Sequence, residues 1–260
     1  MSKSSTERKA VEVSIEHVSK SFGTQEVIHD VSFQVCAGET FVIMGPSGAG
    51  KSVLLKSIIG LIQPTQGKIF IDHLNASVPE THREVVTSMV FQAGALFNSL
   101  SVFDNLALYP REHLLYDKDT LEDKVMTVLK ALSLEQAVNK FPSELSGGMR
   151  KRVSIARSLM MEPQLLLYDE PTSELDPIMA ATISELIATL NEEFNVTSIV
   201  VSHDRELAMS IGQRVALMVD GRIQALDIPS KLATMDDPVV QNFLHPVIDV
   251  QNPRFRKQDF

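Results

Sequence analysis

Three short runs of the chain are almost continuously apolar: residues 41–44, 165–168 and 198–201. Runs of this kind are typical of parallel strands that are buried on both faces beneath helices. Two other stretches, residues 11–18 and 27–35, alternate apolar and polar side chains, and a break at residues 21–24 separates them. This alternation predicts two antiparallel strands of a partly exposed layer. The pattern therefore predicts an α/β fold in which an antiparallel layer accompanies a mostly parallel sheet.

The middle of the chain changes to helical periodicity. In residues 120–132, for example, apolar side chains recur at the spacing of one helix face. Later in the chain, Asp220-Gly221 stands between two apolar strands, which is a strong signal for a β-hairpin. We predict one domain over residues 11–235, with a helical insert at about residues 93–160.

The two ends of the chain differ from this domain. Residues 1–10 are polar and charged, so we expect a disordered lead-in and no signal peptide. At the other end, Asp237-Pro238 is typical of a helix start, and an apolar stripe follows it. Residues 236–260 are therefore predicted to form a helix and a tail that contacts a partner subunit.

Composition and charge exclude some kinds of binding partner. The chain has 260 residues and a formal net charge of −9, which argues against a nucleic-acid binder held by phosphate contacts. Its single cysteine, Cys36, excludes an intramolecular disulfide, fits a reducing cytosol and is expected in the core. No apolar stretch is long enough to span a bilayer, so a membrane role requires another subunit.

A glycine-rich loop directly after the first buried strand matches the pattern G-x-x-x-x-G-K-[ST] in full. Its residues are Gly45, Pro46, Ser47, Gly48, Ala49, Gly50, Lys51 and Ser52. The glycines let backbone N–H groups turn inward, and the N-terminus of the following helix adds further donors for phosphate oxygens. Lys51 can reach the β- and γ-phosphates, and the Ser52 hydroxyl can ligate Mg²⁺. The sequence therefore predicts that the chain binds a nucleoside triphosphate with Mg²⁺.

Two carboxylates, Asp169 and Glu170, follow the apolar run 165–168 at the end of a predicted strand. In sheets of this kind, phosphate-binding loops lie at the same edge. Asp169 would hold Mg²⁺, directly or through water, and Glu170 would polarise the water that attacks the γ-phosphate. Two acids are by themselves equally typical of a solvated strand end, but the phosphate loop earlier in the chain favours the catalytic interpretation.

A third motif opens a helix with two glycines. Ser146 is typical of an N-cap, and Gly147 and Gly148 leave the first backbone N–H groups accessible. The basic residues 150–152 then oppose the helix dipole in the first turn, so they favour an anion nearby. A capped surface helix with solvated charges is the alternative interpretation of the same residues.

Taken together, these motifs resemble the ATP-binding-cassette ATPases from about Val11 to Leu232. The motifs that carry the resemblance are, in chain order, residues 45–52, Gln92, residues 145–149, residues 165–170, residues 173–176 and His203. The resemblance implies a P-loop cassette with a RecA-like core, and two copies of the chain that dimerise head to tail. Each ATP would then lie between the phosphate loop of one copy and Ser146, Gly147 and Gly148 of the other.

The resemblance also implies roles for single residues. Gln92 would contact Mg²⁺ and the attacking water, whereas His203 would contact the γ-phosphate and assist hydrolysis by Glu170. Asp176 would couple the two sites of the dimer, and the nucleotide contacts of the phosphate loop would extend to Val53.

Three positions depart from the family pattern. Phe22 replaces a common tyrosine that stacks on adenine, which keeps the aromatic face and loses the hydroxyl. Met149 replaces a common glutamine, and Glu174 occupies a position that is usually small. None of the three is a phosphate-binding group, so we expect activity to survive.

A narrower resemblance, to the ATPase subunits of MCE-type (Mla) phospholipid transporters, rests mainly on the helical insert. It is carried by residues 91–97, 102–105 and 111–113 and by Met149. It implies a multispanning membrane permease within an MCE-protein complex as the partner, at the cytoplasmic face of the inner membrane. The apolar residues that would either line the groove for the membrane subunit or belong to the core are Leu96, Phe97, Val102 and Phe103.

Two other functions fit the same motifs. One is the ATPase of an importer for another solute, such as polar amino acids, and the other is a soluble cassette protein that assembles metal clusters. Cassettes of DNA-repair and chromosome-structural proteins are disfavoured, because a long coiled coil separates their phosphate loop from the Ser-Gly-Gly motif and no such segment occurs here.

Overall fold

The computed structural model describes residues 9–246, which form two β-sheets and a set of surrounding helices. The strands are β1 Val13–Phe22, β2 Gln25–Val35, β3 Thr40–Met44, β4 Gln66–Ile71, β5 Leu74–Asn75, β6 Thr87–Val90, β7 Leu165–Asp169, β8 Thr197–Ser202, β9 Arg214–Val219 and β10 Arg222–Asp227. The α-helices are α1 Lys51–Ile58, α2 Thr81–Glu84, α3 Val102–Glu112, α4 Lys118–Ala131, α5 Gly147–Leu159, α6 Pro177–Phe194, α7 Arg205–Ile211, α8 Pro229–Ala233 and α9 Pro238–Leu244.

The larger sheet has the strand order β10-β9-β3-β8-β7-β6. All neighbouring pairs are parallel except the β9–β10 hairpin. Every residue of β3, β7 and β8 is buried, which explains why these strands are the continuously apolar runs of the sequence. The hairpin turn is Asp220-Gly221, where both residues have positive φ (46° and 74°), as a two-residue turn requires. The predicted buried strands and the predicted hairpin are confirmed.

Side chains of the larger sheet divide between two apolar cores. On one face, Val42 and Met44 of β3 join a core to which α3, α4, α5, α6 and α7 contribute. On the other face, Phe41 and Ile43 join a core formed with β1, β2, β4 and α1. Helices therefore lie on both faces as predicted, but on the second face α1 shares the cover with the apolar side of the antiparallel sheet.

The smaller sheet is antiparallel, with the order β2-β1-β4-β5. Its first two strands are the predicted ones, but β1 continues to Phe22 and leaves only Gly23 and Thr24 as the turn. β4 and β5 were not predicted from the sequence, because Gln66-Gly67-Lys68 begins β4 with three exposed residues and β5 has only two residues.

Cys36 is exposed, which corrects its predicted place in the core. The alternation of β2 buries Val31, Phe33 and Val35, so the next side chain points outward as the strand ends.

Between β6 and β7 the chain forms α3, α4 and α5, joined by the short 3₁₀ segments Glu135–Ala137 and Pro142–Glu144. The domain boundaries at residues 11, 93, 160 and 235 stay predictions.

Near the end of the described chain, Asp237 caps α9 by accepting hydrogen bonds from the backbone N–H groups of Val239 and Val240. The predicted tail beyond residue 246 and the lead-in before residue 9 lie outside the described residues. Within residues 9–246, no helix has both the length and the apolar character needed to cross a bilayer.

Candidate active site

The ends of three neighbouring parallel strands place the candidate residues at one edge of the larger sheet. β3 leads into Gly45, β7 ends at Asp169 and β8 ends at Ser202. In the strand register, Met44 of β3 pairs with Ser202 of β8, and Asp169 of β7 pairs with Val201 of β8. The segments that follow these three strands therefore start side by side. Segments beyond the carboxyl ends of parallel strands are the usual location of phosphate sites in open α/β sheets.

The glycine-rich loop lies tightly against β9. A Cβ atom on Gly45 would stand 2.0 Å from the carbonyl oxygen of Met218, so no larger residue fits without a backbone shift. At the other end of the loop, Gly50 has a φ of 97° and caps α1 without a side-chain acceptor. The first N–H groups of α1 therefore have no side-chain cap, which suits them to an anion.

Lys51 occupies the inside of this loop. Its side chain is buried, and its ammonium group donates to the carbonyl oxygens of Gly45 at 2.8 Å and Pro46 at 3.0 Å. The same nitrogen lies 3.4 Å from Oε1 of Glu170. The positive charge is thus held between the phosphate loop and the end of β7.

Ser52 and Asp169 place two oxygen atoms that can act as metal ligands beside the loop. The Ser52 hydroxyl donates to Oδ1 of Asp169 at 2.6 Å, and Asp169 is buried. A hydroxyl and a carboxylate are the hard ligands that Mg²⁺ prefers, and Mg²⁺ completes its coordination with substrate phosphates and water. The pair therefore fits a Mg²⁺-nucleotide.

Glu170 is fixed on both sides of its carboxylate. Oε2 lies 2.7 Å from Nδ1 of His203 and accepts the backbone N–H of His203 at 3.2 Å, while Oε1 faces Lys51. Its backbone has a φ of 48°, an uncommon conformation for a residue with a side chain, and its N–H donates to Val201. Strained residues of this kind persist only where their surroundings determine them, and they cluster at active sites.

The remaining predicted residues lie apart from this group. Gln92, Ser146 and Asp176 are exposed, and within residues 9–246 no hydrogen bond or ion pair joins them, or Gly147 and Gly148, to the phosphate loop. Ser146 caps α5 and Asp176 caps α6, as N-cap residues do. Phe22 is 49% exposed, and the ammonium group of Lys20 lies 5.0 Å from its ring centroid.

The three cations at the start of α5 have partners within the chain. Arg150 donates to the carbonyl of Leu145 and Arg152 to that of Leu132. Lys151 is buried and donates to the carbonyl of Glu170, directly after β7. Backbone carbonyl oxygens accept hydrogen bonds from all three cations, which accounts for these charges without an anion, and an anion beside them stays a prediction.

Sequence reasoning missed Lys151 as a residue of this site. Its signal is the spacing of the buried positions of α5, because Gly148, Lys151, Ile155 and Leu159 recur at intervals of three or four. A lysine in the buried stripe of a helix needs a specific set of acceptors.

This fold, with a glycine-rich loop that opens a helix beside a serine and aspartate pair, defines a P-loop nucleotide-binding ATPase. Residues 28–173 match the family described as ABC transporter, and the chain belongs to that family.

Two curated relatives and one solved structure illustrate the similarity. The intermembrane phospholipid transport system ATP-binding protein MlaF of Escherichia coli (strain K12) is 38% identical over 241 residues, 91% of this chain and 90% of MlaF. The probable ribonucleotide transport ATP-binding protein mkl of Mycobacterium leprae (strain TN) is 38% identical over 239 residues, 90% of this chain and 69% of mkl. A dimeric post-hydrolysis structure of the ATP-binding cassette MJ0796 bound to ADP and Pi has a TM-score of 0.74 and 31% identity, covering 84% of this chain and 98% of that one.

These similarities confirm the predicted fold class and the predicted ABC ATPase activity. The roles of the single site residues stay predictions, which the geometry above makes specific.

The close approach of the loop to β9 predicts a stability difference between two glycine substitutions. We expect Gly45→Ala to lower the free energy of unfolding by about 3 kcal/mol, because its Cβ meets the rigid Met218 carbonyl. Gly23→Ala is the control, since Gly23 has a φ of 61° and open space around it, and we expect a loss of about 1 kcal/mol from backbone strain alone. Denaturant unfolding measures both, and equal losses would contradict the account.

Proposed function

We propose that this chain is the ATPase subunit of an ABC transporter that moves phospholipid between membranes. The observation that carries the ATPase part is the grouping of Lys51, Ser52, Asp169, Glu170 and His203 at one sheet edge. The lipid part is supported by the similarity to MlaF, which spans nearly all of both chains.

Substrate binding follows from the loop and its neighbours. The triphosphate would occupy the loop, with the Lys51 ammonium beside its β- and γ-phosphates and the N–H groups of α1 on its oxygens. Ser52 and Asp169 would hold Mg²⁺, with Gln92 approaching from the end of β6, and the ion would neutralise charge that develops on the phosphates.

Hydrolysis would use Glu170 to orient and deprotonate the attacking water. Its carboxylate is buried and fixed, so little reorganisation is needed when the water arrives. His203 holds one oxygen of that carboxylate through Nδ1 and leaves the rest of its half-exposed ring open to the site. If Nδ1 donates to Glu170, only an imidazolium would also donate from Nε2 to the γ-phosphate.

A second copy of the chain would complete each site. Ser146, Gly147 and Gly148 form a helix N-terminus that contacts nothing in its own phosphate loop, and Ser146 is exposed. In a head-to-tail dimer this N-terminus would reach the γ-phosphate held by the other copy, where its N–H groups and dipole favour an anion. Asp176 at the start of α6 would then lie near the dimer interface and couple the two sites.

The partner in the membrane would be a multispanning permease within an MCE-protein complex, with this chain bound peripherally at the cytoplasmic face of the inner membrane. Of the four apolar residues considered for the docking groove, Val102 is fully buried, and Leu96 and Phe103 pack against the core. Phe97 is 50% exposed and has the Arg157 guanidinium 5.6 Å from its ring centroid. We therefore assign the permease contact to Phe97.

Glu170→Gln tests the catalytic assignment. The amide keeps the size of the side chain but cannot accept the proton, so we expect turnover to fall by about a thousandfold while ATP binding persists. The variant should accumulate as a dimer with bound ATP, which light scattering and nucleotide analysis would detect.

Glu193→Gln is the matched control, because Glu193 is an exposed acid near the end of α6, and it should hydrolyse ATP like the unmodified chain. Hydrolysis by the Glu170→Gln variant within a few-fold of that rate would remove Glu170 from the mechanism.

Purification of the chain with its native partners in a gentle detergent tests the transport assignment. We expect a multispanning protein and enriched phospholipid to accompany the unmodified chain, and the Phe97→Glu variant to lose the multispanning protein because a charge replaces an apolar contact. Leu61→Glu is the control, since Leu61 is 63% exposed in the turn that follows α1. A bound permease without enriched phospholipid would favour an importer of another solute, and soluble scaffold partners alone would favour an assembly ATPase.

A further inference from the structure

Lys151 is a buried cation whose hydrogen bonds join three separate segments of the candidate site. It lies on α5 with only 8% of its surface exposed. Its ammonium group donates to the carbonyl of Gln92, to the carbonyl of Glu170 at 3.4 Å and to the hydroxyl of Ser173 at 3.2 Å. An ammonium group has three donors, so these acceptors match its full capacity.

This arrangement is costly, which argues that it has a purpose beyond packing. Within residues 9–246 no carboxylate lies within 4 Å of the Lys151 nitrogen, so its charge has no direct ion pair. Burial lowers the pKa of Lys151, and the more distant charges of Glu174, Glu170 and Asp169 oppose that shift. An apolar residue would avoid this desolvation cost if packing were the only requirement.

Two of the three acceptors are the backbone carbonyls of Gln92 and Glu170, the residues proposed to act on the nucleotide and its attacking water. Glu170 has a left-handed backbone, and Lys151 donates to its carbonyl while its carboxylate contacts Lys51 and His203. Gln92 has its carbonyl held by the same nitrogen. A shift of Lys151 would therefore move the backbone of both residues and redirect both side chains.

The position of Lys151 on α5 connects this contact to the N-terminus of the same helix. Ser146, Gly147 and Gly148 begin α5 little more than one turn before Lys151, so the helix N-terminus and the ammonium group move as one rigid unit.

We propose that Lys151 is a positioning residue that couples the two nucleotide sites of the dimer. When Ser146–Gly148 of one copy closes on the ATP held by its partner, α5 carries Lys151 with it and sets Gln92 and Glu170 for hydrolysis in its own site. This inference rests on the proposed dimeric ATPase, and it adds a physical link from the capture of one ATP to the hydrolysis of the other.

Lys151→Met in the full-length chain, purified with its membrane partners, tests the proposal. Methionine keeps the length and apolar stem but has no donor, so the carbonyls of Gln92 and Glu170 lose their shared contact. We expect kcat to fall by about tenfold or more, the size of effect that a lost hydrogen bond from a charged group produces. We expect KM for ATP to stay within about twofold and the Hill coefficient for ATP to fall to about 1, because each site would work alone.

Two variants separate this role from general stability. Arg152→Met removes a neighbouring cation of α5 that donates to the Leu132 carbonyl, away from the nucleotide, and should keep both kcat and the Hill coefficient. Lys151→Gln restores an uncharged donor on a shorter stem, and its Hill coefficient should lie between those of Lys151→Met and the unmodified chain. Thermal unfolding of all three variants checks that each is folded at the assay temperature.

The proposal is overturned if Lys151→Met keeps the kcat and Hill coefficient of the unmodified chain. It is also overturned if kcat and the Hill coefficient fall equally in Arg152→Met, because the effect would then come from α5 stability. An unmodified chain that hydrolyses no ATP in its complex would instead refute the proposed function, so the two failures are distinguishable.

Discussion

The whole site depends on the fixed position of the Glu170 carboxylate between the Lys51 ammonium and the His203 imidazole. The carboxylate is held at 3.4 Å from one and 2.7 Å from the other, at the end of a strand that is buried throughout. Two apolar cores, one on each face of the larger sheet, keep β3, β7 and β8 in register. Tight packing of this kind lets a strained backbone at Glu170 persist, because no neighbouring segment can relax without losing contacts.

In the proposed dimer, one chain supplies this half of the chemistry, and the N-terminus of α5 in the partner copy supplies the other half. The phosphate loop and the two carboxylates meet within one chain, whereas Ser146 at the start of α5 is exposed and makes no hydrogen bond to them. Such a division would make hydrolysis conditional on association, since an electrostatic site is effective only after water is excluded and all donors are present. Movements of α3, α4 and α5 would then connect nucleotide state to a partner bound near Phe97.

The sequence was most informative where one structural cause dominates a pattern. Burial on both faces makes β3, β7 and β8 continuous apolar runs in the sequence. In the phosphate loop, Gly45 and Gly50 stand where neighbouring backbone leaves no room for a Cβ atom. β4 and β5 escaped detection because pairing with β1 and with each other, not their own residue preferences, creates them.

Distant contacts explain the other errors and omissions. The charges at the start of α5 predict an anion when only their own helix is considered, because their backbone carbonyl acceptors, such as those of Leu132 and Gln92, lie in remote segments. Sequence spacing along one helix carries no information about such partners. The prediction that Cys36 lies in the core was wrong for a local reason, because the alternation of β2 turns its side chain toward solvent.

The central claim is that one nucleotide requires residues of two chains, and a mixing experiment with two defective variants tests it most directly. Lys51→Ala lacks a working phosphate loop and Ser146→Arg lacks a working helix N-terminus, and both are made in a Glu170→Gln background to prevent turnover. We predict that neither variant dimerises alone with MgATP, and that their mixture forms a dimer holding about one ATP, because only the mixed pair contains one complete site. ATP-dependent dimers of either variant alone, or a mixture in which every chain stays single, would contradict the account.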